Sequence, residues 1–221
     1  MRPRHASLFA LIAYQSLTSA CAQPGPMQPP VTKPPARMVE VQESRSSRSG
    51  PTRSLALGSA SVMEIKSNMI AAPGTTPYGR ARDPGSSKYS FTISTREHAL
   101  SAECAEQAND APYFGLGKAS IDLYCTCAEG GGVRAALLLA EGRGEAALSS
   151  GERYAVWESH EDLRGHRVRP ILGYRFRNPR QEGAIDISEQ PRAYMPATLP
   201  AEHELPLACL YAALLLHTPF R

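Results

Sequence analysis

Residues 207–216, Leu-Ala-Cys-Leu-Tyr-Ala-Ala-Leu-Leu-Leu, are apolar all the way round a helix and carry Ala and Leu where a strand would carry β-branched residues. A membrane-crossing helix needs ~20 apolar residues. This run is far shorter, so the rest of the protein must enclose it. Pro200 or Pro206 suits the first helical turn, where a missing N–H does no harm.

The residues available to build the enclosure read as short strands. Asp83-Pro84-Gly85-Ser86 is a turn signal. After it, Tyr89-Ser90-Phe91-Thr92-Ile93-Ser94 alternates large and small polar side chains with a period of two, placing Tyr89, Phe91 and Ile93 on one buried face. Runs at 120–127, 133–139, 154–159, 172–177 and 184–187 have the same β-prone character, and Glu129-Gly130-Gly131-Gly132 breaks two of them apart. Segments 99–108 and 133–147 are rich in Ala and Leu and suit either helix or strand. Short strands without long helical patterns between them point to an antiparallel arrangement rather than βαβ units. The expected fold is mainly β (α+β), an antiparallel sheet or barrel packed on or around the apolar C-terminal helix.

The N-terminal part is different. Arg2, Arg4 and His5 precede the apolar run 6–14, and small residues follow up to Ala22, the plan of a secretory signal peptide over 1–22. Residues 23–54 are rich in Pro, Ser, Gln and Arg without apolar periodicity and read as a disordered linker. Residues 55–87 read as transitional, with Leu55-Ala56-Leu57 and Val62-Met63-Glu64-Ile65 as one or two edge strands, and 88–221 as the domain. Up to residue 87 there are ten Lys/Arg and four Asp/Glu, against fourteen and seventeen afterwards, so the net charge of +3 belongs to the arm. The domain lacks a basic stripe with interleaved aromatics, and nucleic acid is not an expected partner.

Cys104, Cys125, Cys127 and Cys209 are disulfide candidates in an oxidising compartment. On a strand, Cys125 and Cys127 share a face and are badly placed to bridge each other. Cys104 is expected to pair with one of them. Cys209 reads as a small buried hydrophobe, with a bridge to the remaining cysteine as the alternative. A metal is not expected, because Cys-x-Cys lacks the usual ligand gap, and nothing implies a cofactor. His160-Glu161-Asp162-Leu163-Arg164-Gly165-His166 is the densest ionisable group, yet Arg164 stands where a His-Glu-x-x-His motif needs its second histidine, and the stretch reads as an exposed hairpin loop. Gly115-Leu116-Gly117-Lys118 has no strand-then-helix context for a phosphate loop, and no Gly-x-Ser-x-Gly elbow occurs.

Two resemblances add to this. Leu17-Thr18-Ser19-Ala20-Cys21 resembles a bacterial lipoprotein box, displaced by one place because Thr18 stands where the aliphatic residue usually does. Ala20-Cys21-Ala22 also fits ordinary cleavage before Gln23, which would give a soluble periplasmic or secreted protein. The lipoprotein reading makes Cys21 the lipidation site and the bacterial cell envelope the address, with the linker holding the domain away from the membrane. The stretches Gly173-Tyr174-Arg175-Phe176 and Gly183-Ala184-Ile185-Asp186-Ile187, followed by the Ala/Leu helix, look like uncharacterised exported proteobacterial proteins. Short strands before a terminal apolar helix resemble the barrel of the tubby, scramblase and LURP-one-related proteins, in architecture alone. The expected function is an envelope-tethered, non-enzymatic binding or structural module whose partners are the membrane, through the lipid, and an envelope protein or ligand. The alternatives are an envelope hydrolase with dispersed residues around His160 and Asp162, or a lipid- or amphiphile-binding barrel.

Overall fold

The structure, a computed structural model, describes residues 26–32, 35–46, 52–69, 86–109, 120–188 and 190–217. The signal segment, Cys21 and the 115–118 glycine pair lie outside these. Among the described residues twelve strands run in chain order: β1 (Arg37–Ser46), β2 (Thr52–Leu57), β3 (Ala60–Met69), β4 (Ser86–Ser94), β5 (Ala99–Asn109), β6 (Ser120–Glu129), β7 (Gly132–Ala140), β8 (Arg143–Leu148), β9 (Arg153–Ser159), β10 (Gly173–Arg177), β11 (Glu182–Asp186) and β12 (Arg192–Met195), followed by α1 (Ala201–Leu216). Each strand pairs antiparallel with its sequence neighbours. β1 pairs with β12, Arg37 opposite Met195, closing a barrel with no free edge.

The expected enclosure is therefore a closed barrel, and α1 lies inside it. A ring of eight strands is about filled by its own side chains. Twelve leave a wider lumen, and the helix occupies it. Residues 206–215 of α1 are buried on every side, and the helix contacts β2–β8 and β11. The wall alternates accordingly: in β7, Ala135, Leu137 and Leu139 point inward while Leu138 is exposed. Phe91 and Ile93 of β4 are buried as their spacing requires. The ambiguous segments 99–108 and 133–147 are β5, β7 and β8, and their small inward residues, Ala102, Ala135 and Ala146, leave space for the helix. At Gly183 an added Cβ would collide with the Tyr211 hydroxyl, which donates to the Tyr194 carbonyl at 3.1 Å, so glycine there lets the helix approach β11.

Pro200 stands at the N-cap of α1 and Pro206 lies inside the helix, past its first turn. Tyr89 donates to the Ala213 carbonyl at 2.9 Å, and His217 Nδ1 meets Glu106 Oε1 at 2.7 Å where the helix ends.

The disordered linker expected over 23–54 is corrected by the wall. Arg37–Ser46 and Thr52–Leu57 are barrel strands, joined to partners far away in sequence. Even earlier, residues 26–32 lie against the outside of the barrel. Met27 is fully buried among Leu172, Ala184 and Tyr194, its N–H donates to Asp186 Oδ2 at 3.0 Å, and Gln28 N donates to the Glu161 carbonyl at 3.1 Å. Gly173 permits this, since a Cβ there would press on the Met27 sulfur. The strap explains why β11 is buried on both faces. It also covers the Arg175–Glu182 ion pair, 2.7 Å long, whose guanidinium donates to the Gln28 carbonyl.

Asp186→Ala would strip the Met27 N–H of its acceptor while it stays buried, which costs about 1–3 kcal/mol. The expected result is a lowered urea midpoint together with faster proteolytic cleavage around Val31, whose side chain is exposed. An unchanged cleavage rate would mean that Asp186 does not hold the strap.

The buried tyrosines make the fold sensitive to alkali. Burial, aided by nearby Glu106, Glu152 and Glu158, pushes the phenols of Tyr89, Tyr154 and Tyr174 upward, and burial does the same for Tyr211. Because their folded values lie above those of the unfolded chain, this contribution to stability is level below about pH 10 and falls above it, where only the unfolded chain ionises, by at most about 1.4 kcal/mol per pH unit for each tyrosine. Denaturant midpoints are expected to drop steeply above that pH and to drop less in Tyr154→Phe.

Candidate functional site

Polar side chains gather at the end of the barrel where α1 enters. Glu152 lies in the turn between β8 and β9, Asn178 and Gln181 in the turn between β10 and β11, and His203 in the first turn of α1. The β10–β11 turn is held by the Asn178 carbonyl oxygen, which accepts the N–H groups of Arg180 and Gln181 at 2.9 Å each. The same side chain donates to Glu152 Oε1 at 3.2 Å. Gln181 donates to Glu152 Oε1 at 2.8 Å and to the Tyr154 hydroxyl at 2.6 Å, and accepts from Thr198 at 2.7 Å.

One carboxylate oxygen of Glu152 is thus satisfied by amides. The other, Oε2, lies 3.3 Å from His203 Nδ1, and neither of these two shielded atoms has a well-directed hydrogen bond. The pair borders a recess of about 490 Å³ with Ser150, Arg153, Asn178 and Arg180 on its rim. A second recess of about 510 Å³ lies on the other side of the helix start, where Arg37, Glu97, His98 and Glu204 surround an apolar floor containing Leu57, Leu205 and Ala208. Arg37 and Glu204 pair across it at 2.7 Å.

A carboxylate beside an imidazole is the arrangement of a general base. Nucleophilic catalysis also needs a hydroxyl or thiol within reach of the imidazole. Among the described residues none is hydrogen-bonded to His203, and all four described cysteines are in disulfides. Among the described residues no three His, Cys, Asp or Glu side chains converge as metal ligands.

The cysteines are placed as follows. Cys104 and Cys125 stand directly opposite each other on β5 and β6 and are bonded, as the expectation for Cys104 allowed. Cys125 and Cys127 both point into the barrel. Cys209, read first as an unpaired hydrophobe, is instead bonded to Cys127, because α1 passes beside β6.

The 160–166 group lies in the loop between β9 and β10, at the opposite end from His203, and is exposed at Glu161, Leu163, Arg164 and His166. Asp162 Oδ1 accepts the N–H groups of Arg164 and His166 at 2.9 Å each, and these bonds, the His166 one foremost, hold its carboxyl below the usual range. Its role is to shape the turn. His160 Nδ1 meets the Pro170 carbonyl at 3.0 Å. Of the aromatic residues, Tyr154, Tyr174 and Phe176 point inward and Trp157 is half-buried on the outside. Tyr124 and Leu138, opposite each other on β6 and β7, are exposed on the outer wall.

Sequence reasoning missed the Glu152–His203 pair. Its members come from two separate turns, the β8–β9 turn and the first turn of α1, with no local motif to mark them. No protein-family model matches this chain, and neither does any curated protein or solved structure.

Proposed function

We propose that the chain is an exported lipoprotein, lipidated at Cys21, that serves the cell envelope as a non-enzymatic binding or structural module. The observation that carries this reading is the use of the interior. The lumen is filled by a helix covalently joined to the wall through Cys127–Cys209, leaving the outer surface and the recesses at the helix-entry end for recognition. The exposed Tyr124–Leu138 pair supplies apolar contact area on that surface. Two disulfides suit an oxidising compartment. Amphiphile binding inside the barrel is the least supported reading, since α1 takes the space it needs.

The test is the intact, non-reducing mass of the protein recovered from a bacterial envelope. A chain beginning at Cys21 with diacylglyceryl and acyl groups supports the reading. A bare chain beginning at Gln23 overturns the lipid anchor.

The second reading is a hydrolase working at the helix-entry recess, and the Glu152–His203 pair favours it. It predicts turnover of activated esters or amides that His203→Ala and Glu152→Gln abolish. No turnover by the unaltered protein would leave the binding module.

A further inference from the structure

The strap and the β9–β10 loop meet at one end of the barrel. Leu163 N donates to the Pro26 carbonyl at 3.1 Å, Met27 bridges Asp162, and Gln28 N reaches the Glu161 carbonyl. The barrel wall is therefore gripped at Pro26. From Cys21 to Pro26 the chain has five residue steps, which span at most about 18 Å fully extended. A lipid on Cys21 consequently keeps this end of the barrel close to the bilayer, where a linker running to residue 54 would have let the domain stand far off.

The loop presented there has the composition of an interfacial contact. Leu163 is 50% exposed, and Arg164, Arg167 and Arg169 follow it in the same loop, all exposed. Of three nearby carboxylates, Asp162 is turned back onto the loop's own N–H groups, Glu158 Oε2 lies 3.7 Å from His160 Nε2, and Glu161 is exposed. An exposed leucine in an arginine-rich loop can enter the headgroup layer while the guanidinium groups meet phosphates. The helix-entry end carries Glu97, Glu129, Glu152, Glu202 and Glu204 and lies at the far end of the barrel, while Glu141, Glu158 and Glu161 sit at the loop's own end.

We propose that the β9–β10 loop is a membrane-facing surface that rests on anionic phospholipid, with Leu163 inserted and Arg164, Arg167 and Arg169 on the headgroups. This inference rests on the reading of Cys21 as the anchor. It orients the barrel with the loop on the bilayer and the recesses beside His203 and Glu204 directed away from it, open to partners.

The test uses the chain from Cys21 to Arg221 with both disulfides formed, so that Cys21 is the one free thiol and can be coupled to a maleimide lipid whatever its natural fate. Tryptophan is placed at the loop (Leu163→Trp) or at the opposite end (Val133→Trp) in a Trp157→Phe background, with folding checked by circular dichroism. The vesicles contain brominated-chain phosphatidylcholine, with or without phosphatidylglycerol.

The expected result is a blue shift and loss of emission for tryptophan at 163, strengthened by phosphatidylglycerol and reversed by the R164E/R167E/R169E triple substitution, with no change at 133. No quenching at 163, equal quenching at both positions, or indifference to phosphatidylglycerol would each overturn the proposal. The mass measurement fails separately. A bare chain at Gln23 with quenched tryptophan at 163 removes the natural anchor and keeps the surface, whereas a lipidated chain with unquenched tryptophan keeps the anchor and removes the surface.

Discussion

Replacing Cys127 and Cys209 by alanine is expected to destabilise the barrel more than replacing Cys104 and Cys125. The Cys127–Cys209 bond closes a separation of 82 residues and the Cys104–Cys125 bond one of 21. On chain entropy alone these correspond to about 4.5 and about 3.4 kcal/mol. The longer bond also ties α1, which has no strand pairing of its own, to the wall. Urea unfolding of the two double variants measures the difference. Equal midpoints would show that packing alone fixes the helix. The variant lacking Cys127–Cys209 is also expected to bind a hydrophobic dye before global unfolding, because a loosened α1 exposes the apolar lining.

Tyr211→Ala is the second large loss, at about 3–5 kcal/mol. The Tyr211 ring is fully buried and packs edge-on against Phe176 with centroids 4.8 Å apart, and its hydroxyl serves the Tyr194 carbonyl. Tyr211→Phe keeps the ring contact and loses the hydrogen bond, so it is expected to cost about 0.5–1.5 kcal/mol. The ratio between the two costs, read from denaturant midpoints, separates packing from hydrogen bonding. A Phe variant as damaged as the Ala variant would mean that the hydroxyl, not the ring, organises this side of the lumen.

What was legible in the sequence follows from how local each signal is. The period of two at Tyr89, Phe91 and Ile93, the glycine break after Glu129 and the all-round apolar face of 207–216 are each set within a few residues, and all were readable. The first strand was not, and the second showed only its end, Leu55-Ala56-Leu57. Their inward positions, such as Val41, Leu55 and Leu57, are too few among Pro, Ser and Arg to show a period. β1 owes its form to β12, whose residues lie about as far away in sequence as the chain allows. Met27 was hidden for the same reason, since its burial depends on Gly173 and Asp186. In 99–108 alanine lines the wall because a helix stands opposite, a demand that no local propensity records. The mouth cluster is the extreme case: Glu152, Asn178, Gln181 and His203 come together only through the closure of the barrel, and none has a spacing that announces a site. The Cys-x-Cys spacing gave the shared face, but which sulfur faces α1 depends on the helix path.

Closure also sets an order of events. The first strand of the ring finds one of its two partners only in the twelfth, and the plug that fills the ring follows that strand. A chain that leaves a ribosome or a translocation channel N-terminus first therefore has most of its wall outside before either the seam or the plug exists. A wall left unclosed would be an open sheet with an apolar concave face and two unpaired edges, an arrangement prone to association with other chains. Closing the seam therefore waits for β12 and filling the lumen for α1, so the last two elements of the described chain complete the wall and its core.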